Sequence, residues 1–100
     1  MNCDLCNAIN QEFRLIHKTN LTFSVICKQP LKKGHCLVLP IRHSTNLIDL
    51  TAEESKEIFV HLNKLKELLK SRYNTDPMIF MNTGVHSTQD QLHFHIIPAK

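Results

Sequence analysis

The sequence predicts an α+β fold, a mostly antiparallel five-stranded sheet packed by one long helix and a short one. Three observations carry that expectation. Strand-like and helical runs follow one another in the order strand, strand, strand, helix, strand, strand. The helical run opens on a capping box, Thr51 followed by Glu54. A chain of 100 residues, 42% hydrophobic and 21% charged, has material for one core and not two, so 1–100 reads as a single domain.

Each element has its own signal. Phe13 to Lys18 and Thr22 to Cys27 alternate apolar and polar residues, and Thr19-Asn20 between them is a turn signal, which together predict a hairpin. Lys28 to Gly34 holds Pro30 and the first glycine; His35 to Ile41, rich in Val, Leu and Ile, then reads as a well-buried third strand closed by Pro40. From 51 to 72, Ile58, Leu62, Leu65 and Leu69 recur at helical spacing, with Lys56, Lys64, Lys66 and Lys70 on other faces. Pro77 to Met81 is a short apolar strand, Asn82 to Gln91 a polar loop around Gly84, and Leu92 to Ile97 the last strand. Met78 and Met81 read as core filler, and His17 and His61, the latter on the helix surface, as solvated side chains.

A net charge of +3 without a block of like charges suits a phosphate-bearing small molecule and argues against nucleic acid as the main partner. Met1 to Asn20 carries Asp4, Glu12 and Arg14 and has no apolar run of the length that export or a membrane span needs, so a cytoplasmic protein with no membrane association is expected. In that reducing compartment the four cysteines are thiols or metal ligands, not a disulfide scaffold. Cys3 and Cys6 have a spacing that suits a metal, whereas Cys27 and Cys36 sit in strand-like contexts as small hydrophobes.

Successive residues of a strand point to opposite faces, so Gln91, His93 and His95 share one face and Leu92, Phe94 and Ile96 the other, core-facing one. Two imidazoles two residues apart have Cα atoms ~6 to 7 Å apart, near enough for both to address one phosphate group. The same spacing also describes two half-exposed histidines on an edge strand, and spacing alone does not separate the two readings.

The whole stretch Gln91-Leu92-His93-Phe94-His95-Ile96-Ile97-Pro98 resembles the signature of the histidine triad (HIT) superfamily, in which three histidines alternate with apolar residues and two apolar residues and often a proline follow. Gly34-His35-Cys36-Leu37-Val38-Leu39-Pro40 followed by Arg42-His43 is similar to a second landmark of that family. The Asn82-Thr83-Gly84 loop and Cys3-x-x-Cys6 fall where the zinc-bearing, Hint-like and bacterial branch carries its own, so the resemblance covers nearly the entire chain as a single HIT-like domain.

That resemblance implies a nucleotide hydrolase acting at the α-phosphorus of nucleoside phosphoramidates, adenylates or dinucleoside polyphosphates, in two steps through a covalent nucleotidyl-histidine. His93 matches the nucleophile, with its far ring nitrogen oriented by a backbone carbonyl of the same strand; His95 and His35 match the groups that stabilise charge on the phosphoryl oxygens, and Thr88 the residue that contacts the phosphate or leaving group. A neutral imidazole is nucleophilic near neutral pH, and covalent catalysis divides one hard displacement into two easier ones, so the chemistry requires no metal. Asn82, Ser87, Gln91 and Cys27 are the expected substrate-binding positions, Ser87 as a substitute for Thr88 in a loop that is about two residues shorter than the family's.

Two departures stand out. Cys27 occupies the place of the Asn or Asp that holds the ribose hydroxyls in many members, and a thiol is a weak hydrogen-bond partner. Gln91 replaces the first histidine, which is also the fourth zinc ligand of the zinc-bearing branch; Cys3, Cys6 and His43 match the other three, so a structural zinc is expected with an incomplete set. Alternative functions are a nucleotidyl transferase or phosphorylase, a catalytically weakened nucleotide-binding module, and a zinc-dependent adaptor. The family pairs through its long helix and a neighbouring strand, which here implies a homodimer formed by the helix from Thr51 to Arg72 and the strand Pro77 to Met81.

Overall fold

A computed structural model describes residues 4–81 and 91–99. A short helix α1 (Asp4–Asn7) runs into a 3-10 turn (Ala8–Asn10), followed by strands β1 (Leu15–Lys18), β2 (Thr22–Ile26) and β3 (Cys36–Pro40). A second 3-10 turn (Leu47–Asp49) leads into the long helix α2 (Ala52–Tyr73), and β4 (Met78–Phe80) and β5 (Phe94–Ile97) complete the chain. The five strands form one sheet, as the sequence predicts, in the order β1-β2-β3-β5-β4, which it did not specify, and each neighbouring pair is antiparallel.

Alternation along the strands divides the core in two. Cys36, Val38, Phe94 and Ile96 face α2 and pack on its Ile58, Leu62, Leu65 and Leu69. Phe23, Val25, Leu37 and Leu39 face the other way and are covered by Leu5 and Ala8 of the amino-terminal segment. Truncating a buried leucine such as Leu62 to alanine is expected to cost ~2 to 5 kcal/mol through lost burial and the cavity left behind.

Local chemistry fixes the ends of α2. The Thr51 hydroxyl accepts from the Glu54 amide while the Glu54 carboxylate accepts from the Thr51 amide, a cap worth ~1 kcal/mol. Asn74 ends the helix in the left-handed region at φ 55°, with its amide donating to the Lys70 carbonyl. Gly34 adopts φ +92°, and a Cβ there would lie 2.8 Å from Cε2 of Tyr73 and 2.9 Å from Cγ of Pro98, so the entry to β3 admits only glycine without displacing those rings.

Two expectations about single residues need correction. His61 is not on the solvent face of α2: it is 1% exposed, bonded at Nδ1 to Thr22 Oγ1 and at Nε2 to Ser24 Oγ, both at 2.8 Å, with His17 edge-on against it. Met78 is not core filler, because β4 is an edge strand and leaves it 55% exposed. Among the described residues no helix is long and apolar enough to cross a membrane.

Candidate active site

His35 stands immediately before β3, and His93 immediately before β5, which carries His95. Leu37 of β3 pairs directly with His95 of β5, and residues opposite one another in an antiparallel pair project to the same face. His95 therefore lies on the face of Leu37, Phe23 and Val25, away from α2. The three histidines gather there, with ring centroids 4.9 Å apart for His93 and His95 and 5.1 Å apart for His35 and His95. Phe80, opposite His95 on β4, stacks on the His95 ring at 4.5 Å with the planes 8° apart.

Hydrogen-bond partners assign the protons. His93 Nδ1 lies 2.9 Å from the Gln91 carbonyl oxygen, which can only accept, so neutral His93 carries its proton on Nδ1 and keeps a lone pair on Nε2. His35 is held in the opposite sense: its Nδ1 accepts from the Leu31 amide at 3.1 Å, which leaves the proton on Nε2. That proton is donated to His95 Nδ1 at 2.9 Å, so His95 in turn carries its own on Nε2. Adjacent rings thus offer a lone pair at His93 Nε2 and an N–H at His95 Nε2.

The surroundings keep the two donors neutral. Burial, then the neighbouring His93 and His35, push His95 down to about 4, and burial followed by His93 lowers His35. At pH 7 His95 and His35 therefore act as neutral donors and not as imidazolium ions.

Apart from Gln91, the other expected residues divide into three groups. The Cys27 amide donates to the His35 carbonyl at 3.0 Å, and Cys27 packs half-buried against the cluster of Phe23, Val25, Leu37 and Leu39 that floors the histidine face. Cys6 Sγ meets His43 Nδ1 at 3.0 Å, which brings two of the expected zinc ligands together; among the described residues no three such donors gather. Cys3, Asn82, Ser87 and Thr88 lie outside the described residues.

Gln91 is corrected as a substrate-binding side chain. It is 1% exposed, and its carboxamide is spent on main chain: Oε1 accepts from the Ser44 amide at 2.7 Å, and Nε2 donates to the carbonyls of Pro40 at 2.7 Å and Arg42 at 3.1 Å. Buried and engaged at both ends by main chain, the carboxamide does not face a substrate. Sequence reasoning also missed Ser44, the Leu31 amide and the Phe80 stack. The first two act through main chain and leave no mark in residue type; alternation of β4 against β5 was the signal available for Phe80.

A family model described as the HIT domain matches residues 9–100. The chain belongs to the HIT family. Over 98% of its length this HIT chain is 32% identical to the adenosine 5'-monophosphoramidase of Candida albicans, of which it covers 70%. Over 85% of its length it is 32% identical to the bis(5'-adenosyl)-triphosphatase of Saccharomyces cerevisiae, of which it spans only 43%. Among solved structures, a hypothetical protein from Leishmania major superposes with a TM-score of 0.89 at 27% identity, covering 99% of this chain and 74% of that one. The diadenosine triphosphate hydrolase of Plasmodium falciparum superposes with a TM-score of 0.85 at 27% identity, covering 89% and 63% respectively.

Proposed function

We propose that this chain, a nucleotide hydrolase of the HIT family, cleaves nucleoside phosphoramidates, adenylates or dinucleoside polyphosphates at the α-phosphorus through a covalent nucleotidyl-His93. The observation that carries the reading is the opposed protonation of two adjacent rings, a lone pair on His93 Nε2 beside an N–H on His95 Nε2. In the first step the Nε2 lone pair forms the N–P bond, and the leaving group departs with the electrons of its bond to phosphorus and takes a proton from solvent, while the neutral His95 Nε2–H donates a hydrogen bond to the phosphoryl group and keeps its proton. The imidazole becomes cationic, and its Nδ1–H stays on the Gln91 carbonyl, whose dipole favours that charge. Water then attacks phosphorus, the N–P bond breaks with its electrons returning to His93 Nε2, and the proton of water passes to solvent.

His93→Ala tests the reading. Turnover of an adenosine phosphoramidate should vanish while AMP binding measured by calorimetry persists, because the nucleophile acts on the transition state and not on ground-state binding. Hydrolysis at the unmodified rate would end the mechanism.

Two further features belong to the reading. A structural zinc on Cys3, Cys6 and His43 is supported by the Cys6–His43 contact; it would tie the amino-terminal segment to the turn after β3 and take no part in the reaction. Gln91 does not fit as the fourth ligand, its donors and acceptor being used elsewhere, so metal analysis of the purified protein and of Cys6→Ser is the check. A homodimer is supported by the position of β4 at the sheet edge and by apolar side chains exposed on both elements expected to pair, Met78 and Ile79 on β4 and Phe59 and Leu68 on α2.

A further inference from the structure

Gln91 departs from the family signature and yet is buried and bonded through both ends of its carboxamide. Among the described residues its side-chain partners are main-chain groups of residues 40–44, the last residue of β3 and the turn that follows it. The next peptide is tied to the same turn, since the Leu92 amide donates to the Ser44 carbonyl at 2.6 Å. Ser44 therefore holds the chain at two points, by its amide through the Gln91 side chain and by its carbonyl through the Leu92 amide. Between those points lies a single carbonyl, that of Gln91, and it is the acceptor for His93 Nδ1 at 2.9 Å.

The turn is itself a firm support. Arg42 bonds both carboxylate oxygens of Glu54 in the first turn of α2, at 3.1 and 2.8 Å, and also donates to the Asp49 carbonyl at 2.6 Å. That guanidinium, by its hydrogen bonds, holds the Glu54 carboxyl below the usual carboxylate range, so the pair stays charged at neutral pH. Rotating the Gln91 peptide would break the Leu92 bond and drag the carboxamide off three partners at once. A buried carboxamide left with unpaired donors and acceptor is heavily disfavoured, which makes the carbonyl direction stiff.

We propose that Gln91 is a positioning residue for the nucleophile: its carboxamide, locked into the 40–44 turn, aims its own backbone carbonyl at His93 Nδ1 and so keeps His93 in the tautomer with a free Nε2. This rests on the reading of His93 as nucleophile. It gives the glutamine a role that a metal-ligating residue at the same position could not fill with these bonds.

The test joins ring ¹⁵N NMR of His93 with steady-state kinetics, on the unmodified protein and on Gln91→Met, which keeps the volume and loses every polar contact. The unmodified protein should show His93 protonated at Nδ1 and bare at Nε2. In Q91M the second tautomer should appear, and kcat should fall roughly 10- to 100-fold, as is usual when the group orienting a reactive imidazole is lost, with little change in KM. Should Q91M fail to fold, Gln91→Asn, which falls one methylene short of the turn, gives the same readings. Wild-type His93 protonated at Nε2 would overturn the proposal, as would a variant that loses thermal stability but keeps both the tautomer and kcat. If the unmodified protein hydrolyses no nucleotide, the proposed activity fails, and the ring spectra still decide whether Gln91 sets the tautomer.

Discussion

A histidine serves as nucleophile or as donor according to which ring nitrogen holds the proton, and here one carbonyl, one amide and one shared proton make that choice for three rings. The Leu31 amide fixes His35, His35 fixes His95, and the Gln91 carbonyl fixes His93. His35→Asn removes the donor to His95 Nδ1, leaving His95 able to take either tautomer. Its kcat should drop roughly 10- to 100-fold with KM nearly unchanged in steady-state assays, and an unaltered kcat would detach His35 from the chain. His35, His93 and His95 were legible in the sequence because period-2 alternation and the signature name them outright. Their tautomers were not, because those depend on where the Leu31 amide and the Gln91 carbonyl point. Gln91 itself was read as facing substrate; only the path of the 40–44 turn shows that its carboxamide is consumed by main chain.

The long helix was legible almost to the residue, since its capping box and the spacing of Ile58, Leu62, Leu65 and Leu69 are local features. His61 was not, although it lies three residues after Ile58 on the buried stripe, because a polar side chain there reads as surface until its partners Thr22 and Ser24 on β2 are known. The burial has a measurable consequence. His61 is pushed from 6.5 to about 4, by burial first and then by His17 and Lys64, and His95 is likewise held at about 4. Between pH 6.5 and 4 the unfolded chain binds more protons than the folded one. Stability is therefore fully present above about 6.5 and falls as the pH drops to about 4, the buried His61 accounting for on the order of 3 kcal/mol and the partly exposed, solvent-screened His95 for less. Urea unfolding from pH 7 to 4 should show that loss, and His61→Asn, though less stable at pH 7, should show a shallower one. An equally steep slope in the variant would remove His61 as a cause.

At the scale of the molecule, sheet order and the two-sided core follow from pairings that the sequence could only imply: the hairpin of β1 and β2 is local, whereas the insertion of β5 between β3 and β4 is long-range. That insertion places Phe80 against His95 and puts β4 at the edge of the sheet, where the proposed dimer would form. Sedimentation at micromolar concentration should accordingly give a dimer of the 11.6 kDa chain, and Phe59→Asp, at a side chain 64% exposed on α2, should give monomer with reduced turnover. A wild-type monomer with full activity would contradict that assembly. The central claim of the proposed function is that His93 Nε2 bonds to phosphorus during turnover. Mass spectrometry of protein quenched shortly after mixing with an adenosine phosphoramidate measures it directly: nucleophilic catalysis by His93 requires an adenylyl group on the peptide containing His93, absent in His93→Ala, and rapid hydrolysis with no adduct, or an adduct on another residue, would contradict it.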